Sequence, residues 1–119
     1  MSIYEDLIMD HYRNPRNYGV LISADKSIEV NNPLCGDKLK MEIQETNGVI
    51  ENIRFSGEGC AISIASASLL TEYAKGKKIK KILDFNRDDM LGLLKIKLTP
   101  ARIKCALLGW EGLMNLVRN

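Results

Sequence analysis

The sequence lacks several features that would place it in whole classes of protein. Only three of its 119 residues are proline and 6% are aromatic, while 45% are hydrophobic, which is typical of a globular chain and not of a disordered or collagen-like one. No apolar run approaches the ~20 residues that a membrane-spanning helix needs. The first residues carry Glu5 and Asp6, where a signal peptide is basic. We therefore expect a cytoplasmic protein of one domain, residues 1–119, without a membrane partner.

The sequence also has little net charge. The 17 basic and 15 acidic residues leave a formal charge of +2, which is too small to indicate a nucleic-acid partner. One segment, the lysine-rich segment 75–81, departs from this balance and holds Lys75, Lys77, Lys78, Lys80 and Lys81. Such a segment is typical of a solvated surface, and it would also attract an acidic partner protein.

Cysteine is rare, and its pattern excludes the common cysteine frameworks. The three cysteines are Cys35, Cys60 and Cys105. An odd number of widely spaced cysteines does not predict a disulfide framework, and no C-x-x-C pair is present to indicate a zinc knuckle or a thioredoxin-type motif. If the three act together, the fold must bring them together.

The order of predicted elements indicates an α+β fold with a three-stranded antiparallel sheet packed against several helices. Strands are predicted from alternating apolar residues, and the Asn47-Gly48 pair predicts a tight turn between two of them. Helices are predicted from apolar residues at helical spacing. The predicted helices are 2–12, 60–75, 79–83, 88–94 and 100–117, and the predicted strands lie near 28–30, at 38–45 and at 49–56.

Each cysteine lies near the end of a predicted element. Cys35 precedes the clearest strand, and its thiol would share a face with the Asp37 carboxylate if the extended chain reaches back that far. Cys60 opens a helix, whose positive end favours the thiolate. Cys105 lies near the start of the last helix, where Arg102 and Lys104 are expected to lower its pKa.

This arrangement predicts a shared metal or sulfur site, although a free cysteine is often only a small buried hydrophobe. A closed zinc site needs four ligands. The only histidine, His11, is expected to be a surface or packing residue, so Asp37 is the natural fourth ligand beside the three thiols. Three thiolates and a carboxylate suit zinc, and could equally hold two irons of an iron–sulfur cluster. The carboxylate is the weak member of the set, which favours a carrier or builder over a permanent electron-transfer centre.

Three motifs resemble those of the IscU/SufU/NifU N-terminal scaffold family. They are Asn-Pro-Leu-Cys-Gly-Asp at 32–37, Gly-Glu-Gly-Cys-Ala-Ile-Ser-Ile-Ala-Ser-Ala-Ser at 57–68 and Pro-Ala-Arg-Ile-Lys-Cys-Ala-Leu-Leu-Gly-Trp at 100–110, and the opening segment 4–17 is also similar. The resemblance implies assembly of a transient [2Fe–2S] cluster for apo-protein acceptors. It implies sulfur delivery as a persulfide from a cysteine desulfurase. It assigns Cys35, Asp37, Cys60 and Cys105 as ligands of the cluster or of a zinc or iron ion, and it makes Cys35 and Cys105 candidate persulfide acceptors.

The resemblance is divided between two branches of the family. IscU-like scaffolds carry a histidine before the third cysteine and a Leu-Pro-Pro-Val-Lys stretch read by a chaperone, whereas Lys104 and the stretch 98–102 stand here, so a chaperone partner is not expected. The local motifs are similar to SufU-like proteins, but Cys105 lies only 45 positions after Cys60 (105 − 60), which resembles IscU spacing. The prediction is a scaffold, acting as a carrier more than as an enzyme and a monomer or weak dimer. The alternative is a zinc-dependent sulfurtransferase.

Overall fold

The computed structural model describes residues 3–118, which form one helix, a three-stranded sheet and four further helices. The helices are α1 (Ile3–Arg13), α2 (Ala61–Ala74), α3 (Ile79–Leu83), α4 (Arg87–Gly92) and α5 (Pro100–Arg118), and the strands are β1 (Lys26–Asn32), β2 (Asp37–Thr46) and β3 (Val49–Glu58). No helix among these residues is long and apolar enough to cross a membrane. The predicted α+β class is confirmed.

The sheet is an antiparallel meander in the order β1-β2-β3. Met41 in the central strand pairs with Ile28 on one side and Phe55 on the other. The β2–β3 turn uses Asn47 and Gly48, both with positive φ (53° and 76°). This is the left-handed pair that a type I′ hairpin turn requires, so the predicted turn is confirmed.

The core lies between one face of the sheet and helices α2 and α5. Alternate residues of β2 and β3 are buried on that face: Leu39, Met41, Ile43, Ile53 and Phe55. A Cβ added at Gly109 of α5 would lie 3.4 Å from the Ala67 Cβ of α2. Small residues therefore let the two helices pack closely above the sheet, and both helices begin at the same end of the molecule as Asp37.

Two segments outside the strands cover the outer edge of β3. The Asn17 carbonyl accepts from the Phe55 N–H, and the Gly19 N–H donates to the Phe55 carbonyl. Farther along β3, Gly76 and Lys77 exchange hydrogen bonds with Ile50. Backbone groups that an edge strand would leave open are thus paired within the chain.

Most element bounds agree with the sequence to within one or two residues. β1 is longer than the predicted 28–30, because its pairing with β2 continues to Asn32 opposite Asp37. β3 runs to Glu58 through Gly57, where a break was predicted, because Gly57 adopts φ +127° while staying paired with Leu39. Ser2, predicted to start the first helix, lies outside the described residues.

His11 is a buried packing residue that joins α1 to α2. Its Nδ1 lies 2.7 Å from the Ser68 hydroxyl, which also accepts from the Arg16 N–H at 2.8 Å. Its Nε2 lies 3.5 Å from a Glu72 carboxylate oxygen. Burial lowers the pKa of His11, and the nearby Arg16 adds to this effect while Glu72 opposes it. The expectation of a surface or packing histidine is confirmed in its second form.

The burial of His11 predicts a pH-dependent free energy of unfolding. The unfolded chain takes up the imidazole proton near pH 6.5, whereas the folded chain takes it up only at lower pH. Stability is therefore highest above pH 6.5 and falls as pH decreases toward the folded-state pKa, with a limiting slope of about 1.4 kcal/mol per pH unit. Urea unfolding of wild type and His11→Asn between pH 5 and 8 measures this. The difference between the two curves must change over that range, and parallel curves would contradict it.

Candidate metal and sulfur site

Four chemically reactive side chains lie at one end of the sheet. Asp37 is the first residue of β2, and Cys35 lies in the four-residue turn that joins β1 to β2. Cys60 is the residue at which α2 begins, directly after β3. Cys105 is the sixth residue of α5, on the helix side that faces the core. The fold thus brings together residues that span 70 positions of sequence.

Three of these residues form a tight group. The Sγ atoms of Cys105 and Cys35 are 3.6 Å apart. Ligand atoms of Cys35, Asp37 and Cys105 all lie within 4.8 Å of one another. Cys60 is next to this group, with its Sγ 3.9 Å from Asp37 Oδ2 and its backbone N–H donating to Asp37 Oδ1 at 2.9 Å. The sequence expectation that the three sulfurs share one site agrees with these positions.

The buried Asp37 carboxylate is the centre of the arrangement. It is only 1% exposed, and one of its oxygens accepts the N–H at the start of α2, where a negative charge is favourable. The other oxygen faces the Cys60 thiol. A carboxylate in this position has one oxygen fixed by the helix and one available to a cation among the sulfurs.

Gly59 leaves the space that the Asp37 carboxylate occupies. A Cβ at this position would overlap the Ser63 hydroxyl and would lie 3.2 Å from Asp37 Oδ1. Gly59 has no positive φ, so the requirement is for space and not for an unusual backbone conformation.

The three thiols differ strongly in exposure. Cys35 is exposed, Cys60 is half-buried and Cys105 is buried. Burial raises the pKa of Cys105 well above the usual range for a thiol, and hydrogen bonding with Cys35 and Cys60 adds to the increase. The expectation that Arg102 and Lys104 lower this pKa is wrong, because the thiol points into the core and loses its solvation, while both cations lie on other sides of the helix.

Cys60 behaves as predicted in direction. Burial opposes ionisation of its thiol, but hydrogen bonds from Ser63 outweigh the burial, and the net effect lowers the pKa of Cys60. Cys60 supplies no side-chain cap to α2, so its sulfur is not engaged by the helix end. The half-buried thiol is thus the most readily ionised of the coupled Cys60 and Cys105 pair.

The donor set fits a tetrahedral soft cation. Zn–S bonds of about 2.3 Å in tetrahedral geometry separate two sulfurs by roughly 3.8 Å, close to the 3.6 Å between Cys35 and Cys105. The 3.9 Å between Cys60 Sγ and Asp37 Oδ2 is also near the span of two ligands on one ion. The chain therefore offers three sulfurs and one oxygen with little rearrangement.

The position of Cys35 differs from its prediction in one respect. The extended chain begins at Asp37, so Cys35 lies in the turn and not on the strand. Its sulfur accepts a hydrogen bond from the Asn32 side chain at 3.5 Å. Sequence reasoning missed Asn32, although an asparagine before proline is a signal of a side-chain-stabilised turn. It also missed Ser63, whose hydroxyl is packed against Gly59.

A cavity of about 190 Å³ opens beside the exposed thiol, and its lining residues come from the turn and from the start of α5. They are Asn32, Leu34, Cys35, Pro100, Ala101 and Lys104. Lys104 thus lies beside Cys35 and not beside the buried Cys105.

The lysine-rich segment 75–81 lies at the other end of α2 from Cys60. Its five lysines are exposed, and none forms an ion pair with any residue in the described part of the chain. Lys77 covers the Tyr73 ring at 5.3 Å. The 14 residues of α2 separate this segment from the site by about 20 Å. Docking of an acidic partner there stays a prediction.

Filling the space at Gly59 should disturb the site. Gly59→Ala forces Ser63 or Asp37 to move and is expected to lower the free energy of unfolding by about 1–3 kcal/mol, measured by urea denaturation. Gly92→Ala is the matched control, because a Cβ there meets no atom within 4 Å. A Gly59→Ala protein within about 0.5 kcal/mol of wild type would contradict the packing described here.

Comparisons with known proteins agree with this fold and these motifs. Residues 3–119 match the family described as NifU-like N terminal domain. The zinc-dependent sulfurtransferase SufU of Bacillus subtilis (strain 168) is 40% identical, with 94% of this chain and 87% of that protein covered. The iron–sulfur cluster assembly scaffold protein IscU of Escherichia coli (strain K12) is 35% identical, with 92% and 88% covered.

A solved structure is similar over almost the whole chain. It is a proposed iron–sulfur cluster assembly scaffold protein for the SUF system from Fervidobacterium islandicum AW-1, with a TM-score of 0.83, 27% identity and 97% and 96% of the two chains covered. The resemblance drawn from the three cysteine motifs is confirmed, and the chain belongs to the NifU-like N-terminal domain family.

Proposed function

We propose that this protein is a scaffold for iron–sulfur cluster assembly, which accepts sulfur from a cysteine desulfurase and holds iron and sulfur until a cluster is transferred to an apo-protein. The observation that carries the proposal is the convergence of Cys35, Asp37 and Cys105 within 4.8 Å, with Cys60 alongside. The names of the SufU and IscU relatives support the same process.

Cys35 is the thiol placed to receive sulfur. It is exposed on a turn and lines a cavity that a partner's persulfide can enter, whereas Cys105 is 1% exposed. The Cys35 thiolate attacks the terminal sulfur of the desulfurase persulfide. A new S–S bond forms on Cys35, and the desulfurase cysteine leaves as a thiolate, so this step needs no outside oxidant or reductant. Reduction of that sulfur to sulfide takes two electrons from an external donor.

The remaining residues hold and release the cargo. Cys60 and Cys105 supply sulfur ligands from the starts of α2 and α5, and Asp37 supplies the one oxygen. Oxygen is a weaker ligand than thiolate for soft metals. A cluster bound at this site therefore has one weak bond, at which an acceptor protein can begin to take it.

A zinc-dependent sulfurtransferase is the second candidate function. Two observations favour it: the 40% identity to a relative named for that activity, and the 3.6 Å sulfur–sulfur distance that suits a tetrahedral zinc ion. Zinc bound there would hold the thiols in their ionised form. Cys35 would then pass sulfur onward without a cluster being built at this site.

Persulfide mapping tests sulfur acceptance. The protein is incubated with a pyridoxal-phosphate cysteine desulfurase and L-cysteine, alkylated, and digested for mass spectrometry. We expect one additional sulfur atom on the peptide that contains Cys35, and its loss in Cys35→Ala. Cys105→Ala separates the two candidate acceptors, because it should retain the label at Cys35. A label that resides only on Cys105 would contradict this assignment, and no label on either cysteine would overturn both forms of the function.

Anaerobic reconstitution with ferrous iron, desulfurase and L-cysteine separates the two candidates. A scaffold develops visible cluster absorbance, whereas a sulfurtransferase retains stoichiometric zinc and stimulates desulfurase turnover without that absorbance.

Asp37 should control the release of the cluster. Asp37→Ala removes the weak oxygen ligand, so we expect cluster transfer to an apo-ferredoxin to slow several-fold, as followed by circular dichroism. Asp37→Asn keeps an acceptor for the Cys60 N–H and separates loss of the ligand from loss of the helix contact. Asp84→Ala, which changes an exposed carboxylate far from the site, is the control. Transfer at the wild-type rate in both Asp37 variants would refute this role.

A further inference from the structure

Asn32 makes an unusual number of contacts to the turn that carries Cys35. Its side chain is 8% exposed. Its carbonyl oxygen accepts from the N–H groups of Cys35 at 3.1 Å and Gly36 at 2.9 Å. Its side-chain Oδ1 accepts from the Leu34 N–H at 3.2 Å, and its Nδ2 donates to Cys35 Sγ at 3.5 Å. One residue therefore satisfies three consecutive N–H groups and also contacts the reactive sulfur.

The orientation of the Asn32 amide follows from these partners. The Leu34 N–H can only donate, so the oxygen of the amide must face it. The NH₂ group consequently faces Cys35 Sγ. Gly36, with φ +71°, completes the turn, so the sulfur position depends on a backbone that Asn32 holds from one side.

We propose that Asn32 is a positioning residue for Cys35, which fixes the turn through its oxygen atoms and tunes the sulfur as a metal ligand through its N–H group. The inference rests on the proposed function, because it takes Cys35 as a ligand and sulfur acceptor. An N–H donor withdraws electron density from a thiolate and orients its lone pairs, and such outer contacts commonly alter metal affinity 10–100-fold.

The two roles of Asn32 can be separated by substitution. Asn32→Asp keeps an oxygen for the Leu34 N–H but removes the donor to sulfur. Asn32→Ala removes both contacts without adding charge. Asn31→Asp is the matched control, because it adds the same charge one position away on an exposed side chain for which the structure shows no contact with Cys35.

Cobalt(II) substitution provides the readout, with Co²⁺ alone added to metal-free protein under anaerobic conditions. Sulfur-to-cobalt charge-transfer absorption reports the electron density on the thiolates. We expect this band to move to lower energy in Asn32→Asp and Asn32→Ala and to stay at the wild-type position in Asn31→Asp. Zinc affinity, measured by chelator competition, should fall about 10–100-fold in Asn32→Ala.

The outcomes distinguish this inference from the proposed function. Wild-type charge-transfer energy and zinc affinity in both Asn32 variants would overturn the role of Asn32 while leaving the metal site intact. A band shift of the same size in Asn31→Asp would also overturn it, because charge alone would then explain the shift. Absence of any thiolate–cobalt band in wild type would overturn the metal site together with this role, whereas persulfide formation at Cys35 would still support sulfur acceptance.

Discussion

The buried carboxylate of Asp37 is the constraint on which the site depends. A desolvated carboxylate is costly unless its oxygens have partners. One oxygen is satisfied by the N–H of Cys60, which ties the start of β2 to the start of α2. The other lies among the sulfurs, where a cation would neutralise it. The fold therefore places a negative charge at the one end of the molecule where three thiols meet, and that charge favours a bound metal.

Much of the fold and the site could be predicted from the sequence. Period-two alternation in residues 38–45 placed β2, and the Asn47-Gly48 pair placed its turn, because both signals are local and have few alternative structures. The four site residues were predicted because cysteine is rare in this chain and each copy lies beside a glycine or near an element end. The comparisons confirm the family that these motifs indicated.

Other properties of the site depend on tertiary structure and could not be predicted. The pKa of Cys105 was expected to follow its sequence neighbours Arg102 and Lys104, but it follows burial, since residues adjacent in a helix point in different directions. The contact between Asn32 and Cys35 depends on how a four-residue turn closes. The His11–Ser68 contact joins positions 57 apart, and no local pattern marks such a pairing.

The short distance between Cys35 and Cys105 has a chemical consequence for the metal-free protein. Two free thiols 3.6 Å apart need only a small movement to reach the 2.05 Å of a disulfide bond. An oxidant that removes two electrons and two protons would cross-link positions 70 residues apart and consume both the exposed sulfur and its buried neighbour. A bound ion or cargo therefore acts as a protecting group, and oxygen exclusion preserves the empty site.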